Sequence, residues 1–336
     1  MLALAGILGT LMVISTALGA VWISPGEILS LLARHLRGAQ DALPGNLQAY
    51  DIIIFTIRLP RVLLGALVGA GLALSGAVFQ GLFRNPMADP FVIGISSGAA
   101  LGAVLAIMAF NTLRWSATLG IPGCAFAFAV FTIILVYRLA QTGGKVPVMT
   151  LLLAGIAVNS FLSALVSLCM FYSGSQMHQV VFWLMGGFSN RGWDHLMMFI
   201  PYATVGALIV LLYTRELNAM LMGEESAQHL GIEVEKVKFR LLVAAALLTG
   251  ACVSVSGLIG FVGLITPHIV RLLCGPNHRV MLPLAAMAGA IFMVAADVVA
   301  RVIIAPQELP VGIVTALVGG PFFIYLLRRQ KATGGF

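Results

Sequence analysis

The chain has 336 residues, of which 60% are apolar and only 9% charged, against about 25% charged in an ordinary soluble domain. That excludes a water-facing globular surface and makes hydrocarbon the solvent for much of the outside. The formal charge of +7 does not point to nucleic acid, because the basic residues sit in short gaps between apolar runs, where they set membrane orientation.

Apolar stretches recur along the chain near 2–23, 61–83, 91–110, 118–137, 147–171, 195–213, 240–262, 281–303 and 310–327, with a shorter one at 264–274. Each long stretch is at or near the ~20 residues that a spanning helix needs. The short one is expected as a half-depth helix shielded by protein. The predicted fold class is therefore all-α: a polytopic membrane protein of about ten transmembrane helices. The first stretch reads as a retained helix rather than a leader, since it is long enough to span and no Lys or Arg precedes it.

Ser24-Pro25-Gly26-Glu27 has the pattern of a capping box with proline at the first helical position. Ile28, Leu31, Leu32, His35 and Leu36 follow at helical spacing, predicting a short amphipathic helix on the membrane surface. Residues 214–238 form the longest gap on the other side, and Gly223 to Gly231 reads as a two-turn helix, acidic at its start and closed by glycine. A connector needs far fewer residues, and loops of this length tend to be functional.

Counting Lys and Arg through ten alternating spans, with the C-terminus inside, puts twelve of the nineteen on the inner side, including all four lysines. This bias predicts both termini in the cytoplasm. Seven arginines remain outside, among them Arg58, Arg61, Arg191 and Arg301. Leu74-Ser-Gly-Ala-Val-Phe-Gln-Gly-Leu82 is echoed by Val255-Ser-Gly-Leu-Ile-Gly-Phe-Val-Gly-Leu264 with one residue inserted. On helices running in opposite directions, the echo predicts an inverted repeat, with halves at roughly 58–171 and 240–328 of a single domain covering 1–336.

Residues for catalysis are scarce. Gly143-Gly144-Lys145 is followed by Val146 and is no phosphate loop; if ATP is used, another subunit binds it. The four cysteines lack a CxxC spacing, so no metal or disulfide framework is expected. Asp297 is the one serious intramembrane acid, and Arg301 at i+4 makes a local ion pair its simplest use. Asn159, Gln80 and the serines of 160–167 suit either a pathway or hydrogen bonds between helices.

Several strings in fixed order carry a resemblance: Arg58-Leu-Pro-Arg61, Gly69 to Gly76, Gln80-Gly-Leu-Phe-Arg-Asn-Pro-Met-Ala-Asp-Pro90, Gly94-Ile-Ser-Ser-Gly98, Gly223-Glu-Glu, Gly260-Phe-Val-Gly-Leu-Ile-Thr-Pro-His-Ile-Val-Arg271 and Leu309-Pro-Val-Gly-Ile-Val-Thr315. The chain resembles, over nearly its whole length, the permease subunits of type II ABC importers for iron–siderophore, haem and cobalamin uptake (the FecCD-type family). The resemblance implies a homodimer in the bacterial inner membrane. It also implies two cytoplasmic ATPase subunits holding ATP and Mg, and a soluble or lipid-anchored binding protein outside. This chain itself would bind no cofactor or metal and catalyse nothing. Carried over, Arg58, Arg61 and Arg301 would meet acidic residues of the binding protein. Glu224, Glu225, Ala227, Leu230 and Gly231 would form the helix that engages the ATPase. Asn85, Met87, Val148 and Met149 would form the inner gate, with Asn159 on the pathway; Val148 and Met149 depart from the small hydroxyl residues of the cobalamin member. An ion-coupled secondary transporter of similar shape is the alternative.

Overall fold

The computed structural model describes residues 1–19, 21–37, 45–113 and 117–332. These fold into helices α1 (Leu2–Ala17), α2 (Pro25–Leu36), α3 (Gly45–Asp51), α4 (Leu59–Leu82), α5 (Ile95–Leu113), α6 (Ala117–Ala140), α7 (Val148–Tyr172) and α8 (Met177–Met185). The chain continues as α9 (Trp193–Leu212), α10 (Thr214–Leu221), α11 (Glu224–His229), α12 (Val234–Ser256), α13 (Val262–Cys274), α14 (His278–Val302) and α15 (Val311–Ala332). Among the described residues there is no strand. Each predicted apolar stretch contains a helix, the first of them over Leu2–Ala17. Six helical segments are long and apolar enough to cross a membrane, and four shorter apolar helices, Leu2–Ala17, Ile95–Ala109, Val262–Cys274 and Val311–Leu326, account for the remaining stretches.

Small residues decide which helices are central. The apolar windows of α4 and α12 are 83% and 78% buried, against 22% for α7 and 28% for α9. Lipid is as apolar as leucine, so helices associate in it through close van der Waals packing, which glycine permits. A Cβ on Gly69 would strike the carbonyl of Gly289 on α14, and one on Gly76 would strike the carbonyl of Gly263 on α13. Neither contact could be relieved by a side-chain rotation, because the obstructing atoms are backbone. The second contact joins the two echoed segments, and Gln80 reinforces it by donating from Nε2 to Leu264 O at 3.0 Å.

Similar strings nevertheless fold differently. Leu74–Leu82 lies inside the continuous α4, whereas the second copy breaks: α12 ends at Ser256, and α13 starts only at Val262. Gly257 has φ 70° and Phe261 φ 68°, both in the left-handed region that is costly for a bulky side chain. The Phe261 ring is seated over Gly319 of α15, where a Cβ would collide with it. The predicted helix 240–262 is thus shortened at its end and extended at its start, and the half-length helix after it is separate.

α2 carries the predicted capping box: Ser24 N donates to Glu27 Oε2 at 3.0 Å and Glu27 N to Ser24 Oγ at 3.3 Å. Its apolar face is not wholly a membrane face. Leu31 is fully buried with Ile23 and Ile54, and the His35 ring stacks on Phe55 at 4.2 Å, while Leu29 and Leu32 stay exposed. Ile54 and Phe55 belong to a π-helical segment, Ile52–Arg58, that runs straight into α4 and has no sequence signal comparable to the capping box. α2 and α11 mark opposite ends of the bundle.

Candidate functional site

At the α2 end, all three predicted docking arginines are turned inward; Arg58 and Arg61 are 6% exposed and Arg301 is 5%. Arg61 donates from Nε and Nη2 to Asp297 Oδ1 at 3.0 and 2.9 Å and from Nη1 to both oxygens of Glu308. Arg301 approaches the other Asp297 oxygen at 3.0 Å and donates to Leu18 O and to Ser15 O and Oγ. Arg58 donates to the carbonyls of Thr16, Ala17 and Val21. These carbonyls at and beyond the C-terminal end of α1 lack helical partners, and cations are the natural groups to satisfy them. The expected local pair of Asp297 and Arg301 exists, but Arg61, 236 residues away in sequence from Asp297, completes it. All three guanidiniums are thus engaged inside the chain, with Arg301 Nε facing Asp297 Oδ2 as an ion pair but making no hydrogen bond among the described residues. The cluster reaches solvent through Glu308, whose side chain is 36% exposed. Burial would raise the Glu308 carboxyl, but Arg61 and the Ser189 hydroxyl beside it bring it below its ordinary value.

At the α11 end, the predicted coupling residues lie on one short helix and the turn that closes it. Ala227 is fully buried, Glu225 is exposed, Leu230 is 64% exposed and Gly231 turns the chain at φ 79°. Glu224 and Glu225 line a cleft of about 590 Å³ together with Arg84 and Val148. The structure thus brings one predicted gate residue to the coupling helix. Met149 is 69% exposed and points elsewhere. Asn85 and Met87 form a turn beyond α4, with Asn85 Oδ1 accepting from Met87 N at 2.9 Å; Arg84 before them has φ 49°.

Sequence reasoning missed the residue that joins these parts. Lys238, on α12, is 5% exposed. Its Nζ lies 2.8 Å from Glu235, 3.2 Å from Glu224 and 3.2 Å from the carbonyl of Val146. Glu235 in turn accepts from Val146 N at 3.1 Å. Val146 stands two residues before α7, so this lysine ties the coupling helix to the base of that helix. The available signal was a lysine at the first turns of an apolar helix with Glu235 three residues earlier.

Asn159 lines a second cleft, about 370 Å³, between α5, α7 and the loop after α12, with Ser96, Ser97, Ser163 and Ser167 around it. Ser167 and Ser160 donate to carbonyls of their own helix, while the buried Ser96 Oγ has no partner among the described residues. Gln80 is used between helices rather than on this wall.

An all-helical chain with glycine-packed central helices, a broken helix in its core and a hydroxyl-lined cleft has the build of a membrane transport protein. The model of the FecCD transport family matches residues 7–329, and the chain belongs to that family. It is 50% identical over 281 residues, 84% of this chain and 74% of the other, to the cobalamin import system permease protein BtuC of Halobacterium salinarum. It is 42% identical over 282 residues to the hemin transport system permease protein HmuU of Yersinia pestis, covering 83% and 84% of the two chains. Among solved structures, a metal-chelate type ABC transporter in an inward-facing conformation superposes with TM-score 0.84 at 33% identity, covering 98% of each chain. The chain is a multi-pass membrane permease.

Proposed function

We propose that this chain is the permease subunit of an ATP-driven importer that passes a metal chelate of the cobalamin, haem or iron-chelate class into the cytoplasm. The observation that carries the reading is the likeness to a metal-chelate type ABC transporter across 98% of both chains. The α2 end faces outward and the α11 end the cytoplasm, with ten membrane-embedded helices, both termini inside and an inverted repeat whose halves cross at Gly76 and Gly263. Two copies enclose the pathway in the bacterial inner membrane. Two ATPase subunits hold ATP and Mg against α11, and a binding protein delivers cargo outside. Closure of the ATPases presses on α11, and Lys238 passes that displacement to Val146 and α7 as a rigid-body shift. A docking carboxylate would engage Arg61 by exchanging with Glu308, so docking and internal pairing share one cation.

The ion-coupled alternative needs a carboxylate that loads and unloads a proton or cation. Asp297, its best candidate, is clamped between two guanidiniums, Arg61 of α4 and Arg301 of its own helix. The test is uptake into proteoliposomes. Chelate should enter only with ATP, ATPase and binding protein present; uptake driven by a proton or sodium gradient with this chain alone overturns the proposal.

A further inference from the structure

A cavity of about 540 Å³ opens at the α2 end between α8, the 186–191 loop and the loop leading into α15. Its floor is rigid. Gly187 N donates to Ser256 O at 2.7 Å, Gly312 N donates to Gly186 O at 3.3 Å, and a Cβ on Gly186 or Gly312 would strike the backbone of Leu258 or Met185. One wall is aromatic: the rings of His178 and Phe182 stack at 4.4 Å, next to Trp183.

The other wall carries Arg191. Its Nη1 donates to His195 Nε2 at 2.9 Å; because a guanidinium can only donate, that imidazole nitrogen accepts. Arg191 Nε is buried with no partner among the described residues, as is the indole N–H of Trp183. Burial is what lowers the Arg191 guanidinium, to about 10, and no carboxylate offsets it. Glu308 is the one acidic residue lining the cavity, and it is occupied by Arg61 and by Ser189 Oγ at 2.7 Å. Asn190, between Ser189 and Arg191, is held at φ 58°, the kind of strained backbone that persists where surrounding structure imposes it. A desolvated cation without a counter-ion is costly unless an anion completes it.

We infer that this cavity is a binding site for a carboxylate of the transported chelate, with Arg191 as its cation and the His178–Phe182 wall receiving a flat apolar body. The inference rests on the permease reading for the meaning of the cargo, but not for the existence of the site. A cargo group fits better than a side chain of a docking protein, since Arg191 is recessed in a cavity of small-molecule size, whereas Arg34 on α2 and Arg37 just after it stand exposed for protein contacts.

The test uses the complete importer in lipid nanodiscs, with hemin and hemin dimethyl ester as probes, which differ in their two carboxylates. Tryptophan quenching should show Arg191→Gln weakening hemin binding at least tenfold and leaving the diester unchanged, with Arg191→Lys restoring most of the loss. Equal weakening of both probes, no weakening of either, or no hemin binding by the unaltered complex overturns the inference. A rise in the binding-protein concentration needed for half-maximal ATPase stimulation, the same with or without cargo, would instead assign Arg191 to docking and also overturn it. If the hemin-selective loss is seen while no chelate is taken up, the site stands and the importer reading falls. Uptake that is indifferent to Arg191→Gln and to probe esterification has the opposite meaning.

Discussion

Replacing Lys238 with methionine isolates the link between the coupling helix and α7. Methionine keeps most of the stem volume and removes the ammonium, so the contacts to Glu235 at 2.8 Å, Glu224 at 3.2 Å and Val146 O at 3.2 Å are lost together. Removing one partner of a fully buried pair costs about 3–5 kcal/mol. Here the carboxylates are not fully buried: Glu235 is 29% and Glu224 40% exposed, so water can take over part of their solvation. A cost of about 1–2 kcal/mol follows, between the roughly 1 kcal/mol at most of an exposed pair and the fully buried value. About 1.4 kcal/mol is a tenfold change in an equilibrium, here the equilibrium between α11 moving with Val146 and moving without it. In proteoliposomes, Lys238→Met should retain ATP hydrolysis within about twofold and reduce chelate imported per ATP about tenfold. Glu224→Gln should show a smaller loss, because Glu235 remains to hold the lysine. Uptake and hydrolysis falling in proportion, or neither changing, would refute the reasoning, since a merely structural lysine has no reason to alter their ratio.

Asp297→Asn keeps the shape of the α2-end cluster and removes its central charge. Arg61 keeps Glu308 and Arg301 keeps the Ser15 and Leu18 carbonyls, yet two guanidiniums then face each other with less compensation. A loss of about 3 kcal/mol is expected, read as a fall of several degrees in the melting temperature in detergent, with Glu308→Gln costing less because that side chain is already partly in water. Asp89 gives a pH dependence. Burial raises its carboxyl to about 6, against a smaller lowering by the Phe91 N–H that donates to it at 2.9 Å. The ordinary aspartate value is about 3.9, so between about pH 4 and pH 6 the folded chain holds a proton that the unfolded chain has released. Stability should therefore decline as pH rises through that window, by an amount on the order of 2 kcal/mol. The difference in melting temperature between the unaltered chain and Asp89→Asn, followed from pH 4 to pH 7, should carry this slope; a flat difference would contradict it.

Much of the framework was legible in the sequence because a bilayer leaves few choices. A run of some twenty apolar residues in lipid must satisfy its own backbone hydrogen bonds, and a helix does so locally. The capping box at Ser24 and Glu27 and the acidic, glycine-bounded α11 were readable for the same reason: the groups that end a helix lie within a turn of it. The i,i+4 pair of Asp297 and Arg301 was local in the same sense. The break after Ser256 was not readable, since its left-handed Phe261 depends on Gly319 lying against the ring. Nor could periodicity have oriented the glycine faces, because the apolar pattern in lipid does not distinguish the inside of a bundle from its outside.

The sites divide along the same line. Sequence alone determined which residue types stood at each end of the bundle, and the resemblance of its strings to a known family suggested roles for them. Only the tertiary structure decided who their partners were. Arg61 finds Asp297 across 236 positions of chain, Lys238 finds Val146 across 92, and Arg191 is brought into a cavity whose only carboxylate among the lining residues is held elsewhere. Charge is readable from composition, but whether a charge is displayed, paired or left to await a ligand depends on desolvation and on contacts several angstroms long. Those distances exist only once the chain has folded.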